Sequence, residues 1–116
     1  MGIRNDLTVL PELGESAARS TSDLDSESQA LIASRRVPQS PLCYVQPPAA
    51  IAWRTIPSTY AVCTNDMSLP VEFQRSRAMQ ATEVVEIPTG HLPMLVRPDL
   101  VADLLARLAS ARDRAP

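Results

Sequence analysis

The 116-residue sequence has few aromatic residues, no excess of positive charge and no long apolar run. Its four aromatic side chains offer no array on which bases could stack, and its net charge of −2 does not attract a phosphate backbone. No segment approaches the about 18 apolar residues of a membrane span. The first residues also lack the apolar core of a signal peptide. We therefore expect no nucleic acid partner, no membrane partner and a cytoplasmic location.

Cysteine is also scarce, with two residues in the chain. Cys43 and Cys63 have neither the spacing of a metal site nor the number needed for a disulfide framework. We interpret both as reduced and structural. The sequence therefore predicts no metal site and no cofactor.

The chain divides near Pro38. For residues 1–50 the sequence predicts an irregular N-terminus with one short helix. This helix runs from about Ser26 to Arg36, is capped by Asp25 and ends in arginines. Four of the eleven prolines lie in "VPQSPLCYVQPP", which predicts an extended connection.

Residues 51–116 carry clearer signals of regular structure. "STYAVCT" and "TEVVEI" predict strands buried on both faces, and "PVEFQRSRAMQ" between them predicts a helix. Pro98 begins a last helix, on which Val101, Leu104, Leu105 and Leu108 share one face and Asp103 can pair with Arg107. The order strand–helix–strand–helix predicts an α/β fold with parallel strands.

Two polar side chains follow the two predicted strands. Asp66 comes just after the first strand, and His91, the only histidine, comes just after the second. Because parallel strands end at the same edge of a sheet, both loops should face one crevice. A carboxylate there can accept a hydrogen bond from the Nδ1–H of histidine and leave Nε2 to act as a base.

Each of these residues also has a simpler interpretation. An aspartate in "ND" after a strand is ordinary turn chemistry, and a histidine beside Gly90 can be a loop residue, with the glycine supplying a positive φ. Met67, Leu69, Leu92 and Met94 flank the two residues and suit either an apolar acyl pocket or ordinary packing. Periodicity alone leaves these alternatives open.

Family resemblance favours the acid–base interpretation. The stretches "WRTIPSTYAVCTNDMSLPVEFQ", "ATEVVEIPTGH" and "RPDLVADLL" resemble the C-terminal part of an α/β-hydrolase, most closely small bacterial esterase-like enzymes similar to plant methylesterases and hydroxynitrile lyases. In that family the strand ending in "VCTxD" delivers the triad acid and the next strand delivers the histidine of "GH". The resemblance implies that Asp66 and His91 are catalytic, and that the helix before Pro38 is part of a cap.

The sequence departs from the family at the nucleophile. The family serine lies in a G-x-S-x-G turn between a strand and a helix, and three glycines in this chain cannot form that motif. The nearest match is "GESAA", with Ser16 at the serine position, but Pro11 interrupts the segment before it. We therefore expect the chain to be the C-terminal part of a hydrolase, lacking the nucleophile-bearing half and inactive alone.

The expected parent activity is hydrolysis of a small carboxylic ester by a Ser-Asp-His triad. One alternative is a lyase of the same fold, and another is an inactive fragment that binds a partner through its strand edges. A two-stranded sheet leaves both outer edges open. We therefore expect marginal stability or self-association.

Overall fold

The structure is a computed structural model that describes residues 15–37, 39–40 and 42–114. The first half of the described chain holds three helices, α1 (Glu15–Ser20), α2 (Ser26–Ser34) and α3 (Leu42–Val45), and then a single 3₁₀ turn, Ala52–Arg54. The second half holds strand β1 (Thr59–Cys63), helix α4 (Val71–Ala78), strand β2 (Glu83–Ile87) and helices α5 (Pro93–Val96) and α6 (Pro98–Asp113).

Helix α2 begins where the sequence predicts. The Asp25 carboxylate accepts the Ser28 amide proton at 2.7 Å, which satisfies one of the free amides of the first turn. The helix ends at Ser34, so the predicted arginines follow its last turn instead of forming it. The expected extended connection also contains a helical turn, α3, because Ser40 caps it with its side chain and its carbonyl.

The two strands are parallel neighbours, paired from Thr59 with Glu83 through to Cys63 with Ile87. Helix α4 connects them and packs on β1. The buried apolar residues of the described chain lie in this unit, at the ends of β1, β2 and α4, and are Val62, Cys63, Ala78 and Ile87. Strand β2 is apolar but not buried on both faces, since Val84 is 49% exposed, as expected of a two-stranded sheet that buries little.

Helix α6 differs from its predicted face in two respects. Val101, Leu104 and Leu108 are half-buried, but Leu105 is 61% exposed. Arg107 pairs at 2.9 Å with Glu83 of β2, rather than with Asp103 of its own helix. Across the described ranges, no helix has the length and apolar character of a membrane span.

Candidate functional site

The loops that carry Asp66 and His91 are held together directly beyond the strands. The Thr64 amide donates to the Ile87 carbonyl at 3.0 Å, and the Asn65 amide donates to the Thr89 carbonyl at 3.0 Å. These bonds extend the parallel ladder past both strand ends. They therefore bring Asp66, the next residue of one loop, and His91, two residues after Thr89 in the other, to the same edge of the sheet, as the sequence predicts.

Asp66 uses its two carboxylate oxygens differently. Oδ1 accepts the Ser68 and Leu69 amide protons, each at 2.8 Å, which forms the turn before α4. Oδ2 lies 2.9 Å from His91 Nδ1. The structure thus brings together the two residues that the sequence singles out, and the turn and the histidine contact share one carboxylate.

Gln74 is a third member of this site that the sequence interpretation missed. It is 2% exposed, and its Nε2 donates to Asp66 Oδ2 at 3.2 Å and to the Leu69 carbonyl at 2.8 Å. Its amide group also pairs with both backbone groups of Cys63. Gln74 lies three residues after Val71 and four before Ala78, so it shares the inner face of α4 with them. That helical spacing is the sequence signal that could have revealed it.

The hydrogen bonds around Asp66 favour its ionised form. Burial alone would raise its pKa, since the side chain is 3% exposed. The Leu69 amide, the His91 ring and the Ser68 amide outweigh burial and lower the pKa below its usual value. Asp66 is therefore a carboxylate at neutral pH, able to accept a hydrogen bond from Nδ1–H but not to donate one.

His91 is placed so that one ring nitrogen is fixed and the other is available. A carboxylate at Nδ1 selects the tautomer with the proton on Nδ1, which leaves the Nε2 lone pair free to accept a proton. Its side chain is 38% exposed, and Nε2 forms no hydrogen bond within the described part of the chain. The following residues turn into α5, which begins at Pro93.

The interpretation of Gly90 as a positive-φ residue is wrong, since no described glycine has a positive φ. Its backbone amide instead donates to the Asp23 carboxylate at 2.6 Å. Sequence reasoning missed Asp23, and no local pattern marks it, because it lies in the turn between α1 and α2, 67 residues before Gly90.

Ser16, the weaker nucleophile candidate, is the second residue of α1. Gly14 and the segment before it lie outside the described residues. No described strand leads into α1, so the described backbone does not show the strand–turn–helix setting of a serine elbow.

Burial raises the pKa of the Cys63 thiol, which agrees with its interpretation as a structural residue. Among the described residues, no group of three histidine, cysteine or acidic side chains is arranged to hold a metal ion.

A cavity of about 300 Å³ lies away from this pair and is lined by Trp53, Ser58 and Tyr60, with residues from the end of α4. This lining lies around the amino end of β1, whereas Asp66 and His91 follow the carboxyl ends of the strands. The cavity is therefore separate from the Asp66–His91 site.

Parallel strands with an acid after one and a histidine after its neighbour are the arrangement that the resemblance to α/β-hydrolases implies. The model of the alpha/beta hydrolase family matches residues 4–104, and the chain belongs to that family. This match confirms the predicted fold class.

A similar curated protein is the alpha/beta hydrolase nvfD of the fungus Aspergillus novofumigatus (strain IBT 16806). It is 36% identical over 75 residues, which cover 61% of this chain and 30% of the relative. The matched segment therefore spans less than a third of that relative's length.

Proposed function

We propose that the chain supplies the acid and the base of a Ser-Asp-His triad in a carboxylic-ester hydrolase, with His91 as the base and Asp66 as the residue that orients it. The observation that carries this proposal is the 2.9 Å contact between Asp66 Oδ2 and His91 Nδ1. The fixed carboxylate and the half-exposed ring suit the two roles, because the acid must stay ionised and the base must reach substrate.

The reaction follows from the available nitrogen. His91 Nε2 takes the proton of a serine hydroxyl as the serine oxygen bonds to the ester carbonyl carbon, and Asp66 stabilises the imidazolium. Nε2 then returns the proton to the leaving alcohol. Water next attacks the acyl-serine carbonyl carbon and loses a proton to Nε2. The bond between that carbon and the serine oxygen then breaks, Nε2 returns the proton to the serine oxygen, and the acid is released.

The proposed substrate is a small ester with an apolar acyl group. Met67 follows the acid and Met94 lies three residues after the base, and they are 64% and 51% exposed. Flexible apolar side chains beside a polar pair suit an acyl chain whose carbonyl must lie near Nε2.

The serine and the amides that stabilise the oxyanion are proposed to come from a part of the hydrolase fold other than the described site. Removing one oxyanion donor costs about 3 kcal/mol of transition-state stabilisation. Since the described residues show an acid and a base without these groups, we propose that the chain alone hydrolyses esters at best slowly.

A chimera tests the proposal. The residues of nvfD that this chain matches are replaced by those of this chain, and hydrolysis of p-nitrophenyl acetate and butyrate is measured. His91→Ala should reduce kcat/KM by about 10³-fold or more, and Asp66→Asn by about 10²-fold or more.

Asp99→Asn is the matched control, because this exposed carboxylate bonds to Arg97 and not to the site. It should retain the activity of the parent chimera. Ester hydrolysis that survives His91→Ala would contradict the proposal. Cleavage of a cyanohydrin without ester hydrolysis would assign the same pair to a lyase.

A second candidate function is binding through strand pairing. Within the described residues the sheet has two strands, β1 and β2, so each has one outer edge without a strand. An inactive chain could use such an edge to add a strand from a partner or from a second copy.

A further inference from the structure

We infer that Asp23 is a positioning residue for the histidine loop. Its carboxylate holds the Gly90 amide and so fixes the backbone from which His91 reaches Asp66. The inference rests on the proposed function, since it assigns Asp23 a role in the geometry of the proposed acid–base pair.

The contact is short and charge-assisted. Gly90 is the residue immediately before His91, and its backbone N–H donates to Asp23 Oδ2 at 2.6 Å. Hydrogen bonds to a carboxylate are roughly twice as strong as those between neutral groups. This bond therefore restrains the backbone of Gly90. The next residue is His91, whose Nδ1 lies 2.9 Å from Asp66 Oδ2.

Gly90 has no side chain at the place where Asp23 approaches. A Cβ at position 90 would lie 2.5 Å from Asp23 Oδ1 and 2.8 Å from Asp23 Cγ. Those separations are below contact distance, so any larger residue would push the carboxylate away. The glycine is thus explained by the closeness of Asp23 and not by its φ.

Ser20, the last residue of α1 and the start of the turn that carries Asp23, also contacts the acid loop. Ser20 Oγ donates to Ser68 Oγ at 3.2 Å, two residues after Asp66. We name residues 20–23 the bridging turn, because it contacts the loop of Asp66 at one end and the loop of His91 at the other. A single short segment thereby sets the position of one loop relative to the other.

The bridging turn is itself held by α2. Gln29 Nε2 donates to the Thr21 carbonyl at 2.9 Å and to the Leu24 carbonyl at 3.1 Å. Thr21 is 6% exposed. Asp23 is therefore presented by a fixed backbone, as a residue that orients a catalytic group must be.

The test compares Asp23→Ala and Asp23→Asn with wild type in the 116-residue chain, by NMR. Because the chain has one histidine, an imidazole Nδ1 proton signal can be assigned to His91 directly. The Gly90 amide is identified by its loss from the spectrum of Gly90→Ala. Asp25→Asn is the matched control, since Asp25 lies in the same segment and Asn also caps helices.

Asp23→Ala should accelerate Gly90 amide exchange by about tenfold or more and weaken the His91 Nδ1 proton signal. Asp23→Asn keeps an acceptor oxygen and should restore most of that signal, with Gly90 exchange a few-fold faster than in wild type. Gly90→Ala should reproduce the loss of the Nδ1 proton signal. Asp25→Asn should match wild type in both measurements.

If Asp23→Ala keeps the Gly90 amide exchange rate and the His91 Nδ1 proton signal of wild type, the inference is overturned and the acid–base pair is left intact. If Asp23→Ala does not fold, equal Gly90 exchange in Asp23→Asn and wild type would overturn it. Absence of the Nδ1 proton signal in wild type, or its persistence in Asp66→Asn, would instead contradict the proposed function.

Discussion

Asp66 bonds to two backbone amides through Oδ1 and faces His91 Nδ1 through Oδ2. The turn interpretation and the acid interpretation of this residue are therefore compatible. The amides fix the rotation of the carboxylate, and this rotation aims the second oxygen at the histidine ring. A side chain held in this way needs little reorganisation when the imidazole becomes charged.

Gln74→Leu should destabilise the chain. Gln74 satisfies the amide and the carbonyl of Cys63, and both groups would be left in a buried environment without this partner. We expect the free energy of unfolding to fall by about 2–3 kcal/mol, measured by urea denaturation. Gln80→Leu, an exposed glutamine after the same helix, should change it by about 0.5 kcal/mol or less. Equal effects would contradict the role of Gln74.

Stability should fall in acid. The pKa of Asp66 is lowered in the folded chain, as are those of Asp25 and Glu83, and the pKa of Asp99 is about 2. A lowered folded pKa gives stabilisation that is complete above the unfolded value and lost as pH falls through the folded one. Urea midpoints should therefore hold from neutrality to about pH 5 and decline below about pH 4.

Asp66→Asn should make that decline shallower, because it removes one of the titrating carboxylates. Asp103→Asn is a suitable comparison, since Asp103 forms no ion pair among the described residues. A steeper decline in Asp66→Asn than in wild type would contradict the assignment of Asp66 as a stabilising carboxylate.

Because each strand of the described sheet has one outer edge without a neighbouring strand, we expect copies of the chain to associate. Val84 in β2 is 49% exposed, and a charge there should discourage pairing between copies. Val84→Lys should shift the chain towards monomer in sedimentation velocity at matched concentration. Val37→Lys adds the same charge at a 77% exposed position outside the sheet and should have a smaller effect. A wild-type chain that is already monomeric at high concentration would contradict this prediction.

The ion pair between Arg107 and Glu83 should contribute little, although its 2.9 Å separation is short. Arg107 is 50% exposed and Glu83 is 42% exposed, so water screens the pair and both side chains lose conformational freedom. Arg107→Met should leave the urea midpoint of unfolding close to that of wild type. A large fall in that midpoint would show that α6 depends on this contact.

The sequence predicted the parts of the site that depend on strand order. Asp66 and His91 each follow an apolar run, and parallel pairing alone brings the ends of those runs together. Gln74 could have been found from its position between Val71 and Ala78. Asp23 could not, because its contact depends on the path of the chain over 67 intervening residues.

The errors in the secondary structure also have local causes. Helices α3 and α5 are each 4 residues long and lie among prolines, where the sequence indicates connection rather than helix. The exposure of Val84 could not be read from β2, since an apolar strand looks the same whether or not a neighbour covers it.

The ¹⁵N spectrum of the His91 ring, recorded near neutral pH in wild type and in Asp66→Asn, tests the central claim most directly. We predict that wild type carries its proton on Nδ1. In Asp66→Asn the amide oxygen should take the place of Oδ1, which accepts two backbone amides. The amide NH₂ would then donate to Nδ1 and move the ring proton to Nε2. A wild-type proton on Nε2, or the same tautomer in both proteins, would contradict the claim that Asp66 orients His91 as a base.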